Sequence, residues 1–357
     1  MAYTTVNKSS ANFKSVKYQG TGSDNLQITG VGFSSDFTWT KKLETSTNER
    51  AYLFDTLRGA TKYLNSSHSD SEQTATNSLK AWTSDGYTAG TNNAVNQSSS
   101  HSYTTMNWKA GTTGSGTTTG SGTGKAYNYS VNTTAKFSII NYLGNGTAGH
   151  TIPHHLGVVP KMFIIKRYST GSAGNDSWMV YHQALGNTKR VILNGTGAED
   201  ADISYWNNTS PNATNFTVGT NNGGNNDGYS YICYCFADVQ GYQKCSSFIS
   251  NGNVDGVFQY LGFKPAVLLV KNTSQATDWI MFSDDRNGFN GNNTPIFPNT
   301  ETGAGNATDN AIDLLSNGFK VRTAGSKLNG DGAGQTLIYM ALGQTLVGTN
   351  NVPNNAR

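Results

Sequence analysis

One phrase recurs along this chain and limits its fold more than any other feature. The stretch HHLGVVPKMFIIK, residues 154–166, returns as YLGFKPAVLLVK at residues 260–271. A fainter copy, GVGFSSDFTWTKK, occupies residues 30–42. Gly32, Gly157 and Gly262 head the copies, and Lys41, Lys166 and Lys271 close them at one constant spacing. The segments downstream of each copy repeat too. An aromatic-rich segment comes next (AYLFDTLRG, SWMVYHQALG, DWIMFSDDRNG), then a short piece (SDGYTAG, ATNFTVG, SNGFKVR), then a closing aromatic run (SYTTMNWKAG, YSYICYCFADVQG, QTLIYMALG). A period of a hundred residues or more belongs to whole domains, not to solenoid turns.

The repeated pieces read as strands, being short runs rich in Val, Ile, Phe, Tyr and Trp bounded by Gly, Asn, Asp and Ser. Helical periodicity is scarce; TATNSLKAW and ATDNAIDLLSNG are the candidates for short helices or turns. The expected fold class is therefore all-β, with tandem antiparallel β-sandwich, jelly-roll-like domains. The expected layout is an N-terminal arm over 1–14, repeat 1 over 15–110, a Gly/Ser/Thr linker over 111–125, repeat 2 over 126–243, repeat 3 over 244–343 and a polar tail over 344–357. The linker, GTTGSGTTTGSGTGK, reads as flexible coil that leaves the first unit free to move, with the second and third a tight tandem.

Within the phrase, the glycine supplies a tight turn, and Pro160 opens a strand where its missing N–H does no harm. MFIIK and AVLLVK run apolar without alternation, so both faces of those strands should be covered. In the first copy Phe37 and Trp39 alternate with Thr38 and Thr40, which predicts a wet second face. At those two positions the later copies carry Phe163 and Ile165, then Leu268 and Val270. Two covers for them stand side by side: units two and three packing on each other or on neighbouring subunits, or a loop within each unit.

Composition and charge narrow the function. Only 13% of residues are charged, and 25 basic residues face 22 acidic ones without a basic block. Nucleic acid as a partner needs concentrated positive surface, so none is expected. No long apolar segment points to membrane insertion, and the start has no charged region followed by an apolar core. Cys233, Cys235 and Cys245 cannot pair completely and read as reduced core thiols.

Chemical motifs fail one by one. GSGTGK lacks the leading glycine of a phosphate loop and is followed by Ala126 rather than a hydroxyl residue. His150, His154 and His155 cluster as metal candidates, but no carboxylate or thiol stands near them in sequence, and strand capping is the simpler role. Asp284 and Asp285 are adjacent, so on a strand they diverge instead of flanking a glycosidic bond. Asp55 with Arg58, and Asp285 with Arg286, read as structural ion pairs. No catalytic residue, cofactor or metal is assigned. Tyr205, Trp206 and Tyr229, with Trp108, are the aromatics expected to stack on sugar rings if they lie at the surface.

The segments SVKYQGTGSDNLQITGVGFSSDFTWTKK, LFDTLRGATKYL, HHLGVVPKMFIIK, WMVYHQALG, YICYCFADVQGYQKCSSFISNGNVDGVFQYLGFKPAVLLVK and LLSNGFKVR together resemble the repeated domain of virion structural proteins of tailed bacteriophages from marine and other environments. The resemblance extends over roughly residues 1 to 343. It departs at Ser35, where the first copy of the family usually has proline. It implies a non-enzymatic virion component assembled in the host cytoplasm. The form it implies is a tail fibre or spike, working as a homotrimer with other tail or capsid proteins and contacting host-surface polysaccharide. A capsid decoration or cement protein is the alternative, and a glycan depolymerase a more distant one.

Overall fold

The structure, a computed structural model, describes residues 4–44, 50–170, 177–286, 290, 294–304 and 311–345. The described chain is all-β and sandwich-like, and its helices are short turns. The first unit contains β1 (Phe13–Gln19), β2 (Leu26–Ile28), β3 (Phe37–Lys42), β4 (Tyr52–Asp55), β5 (Lys62–Asn65), β6 (Gln73–Thr74), β7 (Leu79–Thr83), β8 (Gly86–Ala89), α1 (Asn93–Asn96) and β9 (Ser102–Trp108). Next come β10 (Thr112–Thr117) and β11 (Thr119–Gly120). The second unit comprises β12 (Ala126–Asn132), β13 (Phe137–Leu143), β14 (His150–Pro153), β15 (Met162–Arg167), β16 (Met179–His182), β17 (Lys189–Ile192), β18 (Asp200–Ala201), α2 (Ile203–Trp206), β19 (Asn215–Val218), α3 (Asn222–Asn225) and β20 (Ser230–Phe236). The third is β21 (Gln243–Asn251), β22 (Phe258–Tyr260), β23 (Phe263–Asn272), β24 (Ile280–Ser283), β25 (Ile312–Leu315), β26 (Gly318–Val321), α4 (Ser326–Asn329) and β27 (Ala333–Thr345).

One antiparallel order occurs three times: β1-β9-β3-β4, β13-β20-β15-β16 and β21-β27-β23-β24. Opposite each large sheet lies a small one built on β2-β8, β14-β19 or β22-β26. The glycine of the repeated phrase has positive φ in every copy (82° at Gly32, 71° at Gly157, 80° at Gly262), a conformation that costs a side-chain-bearing residue. Its lysines are buried at the far end of β3, β15 and β23.

Alternate residues of these strands enter two different cores. Met162, Ile164, Val267 and Leu269 join Phe37 and Trp39 in one cluster drawn from all three units. Phe163 and Ile165, and Leu268 and Val270, instead enter the sandwich core of their own unit. Their cover is neither another unit nor a mere loop but chiefly the small sheet of the same unit, with Ile152, Phe216 and Val218 in the second and Ile312, Phe319 and Val321 in the third, and the opposite face carries the contact between units. The expected wet face of β3 is dry. Thr38 and Thr40 are fully buried. Their hydroxyls bond to Asn107 Oδ1 (3.2 Å) and Thr105 Oγ1 (3.0 Å), so hydrogen bonding replaces apolar packing on that face.

The linker expectation also fails. Residues 112–117 form β10, paired with β12, and 119–120 form β11, paired with β14. Glycine and threonine read there as coil, yet Gly114 and Gly116 sit against the rings of Tyr129 and Tyr127, where a Cβ would stand within 2.6 Å and 2.8 Å of their hydroxyls. The first unit is not free either, since Phe13, Leu53, Met106 and Trp108 belong to the shared core. Val6 of the N-terminal arm belongs to it as well. TATNSLKAW, expected as a short helix or turn, contributes to β6 and β7, and the described part of ATDNAIDLLSNG contributes β25, its first four residues lying outside the described ones. Pro160 precedes β15, whereas β23 starts earlier and Pro265 lies at a bulge, another position that needs no ladder donor. Most of the tail over 344–357 lies outside the described residues.

Candidate functional site

The places where charged, nucleophilic and aromatic side chains gather are the seams between units. Lys166 of the second unit donates to Ser69 O of the first (2.8 Å). Lys271 of the third donates to Thr196 O of the second (3.0 Å), and Lys41 of the first to Thr300 O of the third (2.9 Å). Two residues beyond each lysine, a carbonyl accepts a backbone N–H from the same neighbour: Tyr168 O from Glu72, Thr273 O from Glu199, and Leu43 O from Ala304, at 2.8, 2.9 and 2.9 Å. The relation runs from unit two to one, three to two and one to three, and so closes into a ring. A head-to-tail interface whose rotation closes after three steps gives a cyclic trimer, and here its subunits are joined in one chain.

Tryptophan marks two of the seams. Trp178 Nε1 donates to Asn65 O and Trp279 Nε1 to Ile192 O, both at 2.8 Å, and the acceptors are the last residues of β5 and β17. Ala51 holds the position before β4, and Ser66 Oγ bonds across that seam to Pro298 O. Burial lowers the Lys271 ammonium to a pKa of about 8, while Thr277 O at 2.8 Å gives it a second acceptor.

The acidic candidates belong to the same seams. Asp55 and Arg58 form a fully buried pair at 2.5 Å, and Tyr234 of the second unit donates to Asp55 Oδ2 at 2.8 Å. The equivalent of Asp55 in the second unit is His182, whose Nε2–H donates to Tyr339 O of the third unit (3.2 Å) while Nδ1 accepts from Ala184 N (3.2 Å). Burial holds His182 down at about 4. Asp284 accepts from Ser15 Oγ (3.0 Å) and Asp285 from Thr104 Oγ1 (2.8 Å), both on the first unit, and burial raises the Asp284 carboxyl. The two aspartates hold one seam together.

The histidine cluster disperses in space. His150 donates from Nδ1 to Asn225 Oδ1 (2.9 Å) and accepts at Nε2 from Thr118 (2.6 Å). His154 bonds to Asn212 O (3.0 Å) and, buried, is held at about 4. His155 stacks on Tyr129 with ring centroids 3.6 Å apart. Among the described residues no group of His, Cys, Asp or Glu is arranged to hold a metal ion. The three cysteines are free and buried.

Three of the four expected sugar-stacking aromatics are buried, and Tyr229 is partly so. Trp206 and Trp108 are 1% exposed and Tyr205 5%, all packed in cores. Tyr205 donates to Asp200 (2.6 Å) beneath the Arg190 guanidinium, Trp206 donates to Lys189 O (2.8 Å), and Arg167 covers the partly buried Tyr229 ring at 4.7 Å. Among the described residues the exposed aromatic side chains are Phe258 and Tyr260, which sequence reasoning passed over. Their signal was present in VFQYLG, where aromatics two residues apart bracket Gln259 and so share one face of a strand.

The chain belongs to a protein family described as a domain of unknown function (DUF7483), whose model matches residues 8–345. That single match takes in all three units, as expected if the closed ring is the unit of inheritance. A search of curated proteins returned no match.

Proposed function

We propose that this protein is a non-enzymatic structural component of a bacteriophage virion, displayed as a tail fibre or spike that contacts host-surface glycans. The phrase-by-phrase resemblance to phage virion proteins supports the class. The observation that carries the non-enzymatic reading is where the reactive side chains go. Asp55, His182, Asp284, Asp285 and the three phrase lysines all make bonds between units, and Arg58 is held by Asp55 within the first. Such bonds, laid over a shared apolar core, suit a part that must keep its shape under load. The proposed oligomer is a homotrimer. Because the threefold faces are consumed within one chain, its contacts use the outer surface, and sedimentation at three times the 38.2 kDa monomer mass tests it.

A second reading, a capsid decoration protein, draws support from the same closure, since one copy already offers three related surfaces to a shell. Mass spectrometry and antibody-labelled electron microscopy of purified particles separate the two. A few trimers at the tail support the first reading, and dozens to hundreds of copies on the shell support the second. Absence from the particles refutes both.

A further inference from the structure

We propose that the outward face of the β22–β26–β25 sheet, centred on Phe258 and Tyr260, is a stacking platform for the rings of a neutral polysaccharide. The ligand class rests on the host-contact reading above; the platform itself rests on geometry. Phe258 and Tyr260 are 43% and 55% exposed and alternate along β22, so both stand on its solvent side.

The other units show that the fold does not require them. Phe319, Phe216 and Tyr87 are the buried rings at one shared place in β26, β19 and β8. Their cross-strand partners are Gln259, Ile152 and Ile28. One residue earlier stand Phe258, Thr151 and Gln27, and one later Tyr260, Pro153 and Thr29. Only the third unit exposes rings at these positions. Gly318, opposite Tyr260, is a close-approach glycine beneath the pair: a Cβ there would stand 2.0 Å from Gln259 O and 3.2 Å from Phe258 Cε2. The rim is polar and mostly ion-paired, with Asp255 bridging Lys320 (2.9 Å) and Arg322 (3.1 Å), Arg322 also meeting Asp313 (2.5 Å), and the Lys244 ammonium held on the Tyr260 carbonyl. Flat apolar rings beside neutralised hydrogen-bonding groups match a sugar ring, which has an apolar C–H face and hydroxyls at its edge.

Two other occupants fit less well. β22 is an edge strand, but its Phe258 carbonyl accepts from Gln259 Nε2 (3.0 Å) and its Tyr260 carbonyl from Lys244 Nζ (2.8 Å). Those side chains, a lysine among them, blunt the edge against an added strand. A second copy needs more area. The two rings expose roughly 200 Å² between them if a whole aromatic side chain carries a similar area, against about 800 Å² per partner in a stable interface.

The test is affinity electrophoresis of the full chain in native gels cast with dextran, mannan or galactan. Retardation by at least one of them, weakened at least tenfold in Phe258→Ala/Tyr260→Ala and kept in Ile203→Ala, supports the platform. Ile203 is 59% exposed elsewhere, and circular dichroism confirms that each variant is folded. No retardation by any of the three, or equal retardation of the double variant, overturns it. So does a dimer seen by sedimentation that the double variant abolishes, since a second copy would then own the face. Particle proteomics keeps the two proposals apart. Retardation without the protein in particles sinks the virion reading alone, and the protein in particles without retardation sinks the platform alone.

Discussion

Replacing Asn225 by alanine should destabilise the protein by about 3–6 kcal/mol. Each unit ends a one-turn helix (α1, α3, α4) on a fully buried asparagine: Asn96, Asn225 or Asn329. Each donates to the carbonyl six residues earlier, Gly90, Gly219 or Thr323, and to a second carbonyl in the loop before the small sheet, that of Ser23, Thr147 or Asn253. Its Oδ1 accepts a backbone N–H from the same loop: from Thr21 and Gly22, from Asn145, or from Asn251. In the second unit His150 also donates to it. The side chain thus pins the large sheet's last connection to the small sheet. Alanine strands the Asn145 N–H, the His150 Nδ1–H and the Gly219 carbonyl, while the Thr147 carbonyl keeps the His150 N–H. Each buried orphan costs about 1–3 kcal/mol, with partial relief from relaxation. Urea unfolding followed by near-ultraviolet circular dichroism measures the loss, with Asn96→Ala and Asn329→Ala expected in the same range. A loss under about 1 kcal/mol at all three sites would refute the pinning argument.

The seams and histidines yield further expectations. Because the central core is shared, intact protein should unfold in a single transition by fluorescence and by circular dichroism alike; two resolved transitions would contradict one ring. Trp279→Phe keeps the ring packing but orphans Ile192 O, and should lower stability by about 1–3 kcal/mol in the same assay. His182 and His154 are held at about 4 against an ordinary 6.5. The unfolded chain therefore binds their protons first. Their stabilising contribution is complete above pH 6.5 and is lost as pH falls toward 4, by on the order of 3 kcal/mol for His182. His182→Gln should flatten the slope of stability against pH across that window. Gly157→Ala, at φ 71° with open space around it, should cost only about 1 kcal/mol. Gly120→Ala should cost more, its Cβ lying 2.3 Å from Gly149 O.

The threefold repetition, the β character and the doubly covered strands were legible because glycine turns and apolar runs act locally; the order of the strands was not. Nor was what the strands faced. Thr38 and Thr40 look solvent-bound, since nothing in DFTWTKK reveals that Asn107 and Thr105, some seventy residues away, will bond to them. The linker misled because β10 owes its strand form to the rings of Tyr127 and Tyr129 rather than to its own propensity. Tyr205 and Trp206 misled because polar neighbours suggest surface, while Asp200 and Lys189 O supply the bonds that let them be buried. The asparagine pins could have been found, since Asn96 and Asn225 end NAVN and NGGN just before the closing strands, but asparagine in so polar a chain draws no notice.

The repeated phrase now has a physical reason to be repeated. A cyclic interface uses one surface as donor and another as acceptor, so each unit must carry both. The lysine that ends the phrase is the donor half, and the segment beyond β5 or β17 is the acceptor half. Drift in one copy is tolerated only where the facing copy adjusts. Ala51 replaces tryptophan at the seam where Ser66 and Pro298 provide the hydrogen bond instead. Outward positions face no such partner, which is why β22 could acquire Phe258 and Tyr260 while β2 and β14 kept Gln27 and Thr151. On this logic new binding function arises on the small sheets, and substitutions at the seams act on stability. Swapping the pair, with Phe258→Thr/Tyr260→Pro in the third unit and Thr151→Phe/Pro153→Tyr in the second, should therefore leave unfolding by urea nearly unchanged while moving the stacking surface. If stability instead falls as far as it does with Asn225→Ala, the outward face is part of the framework and the division fails.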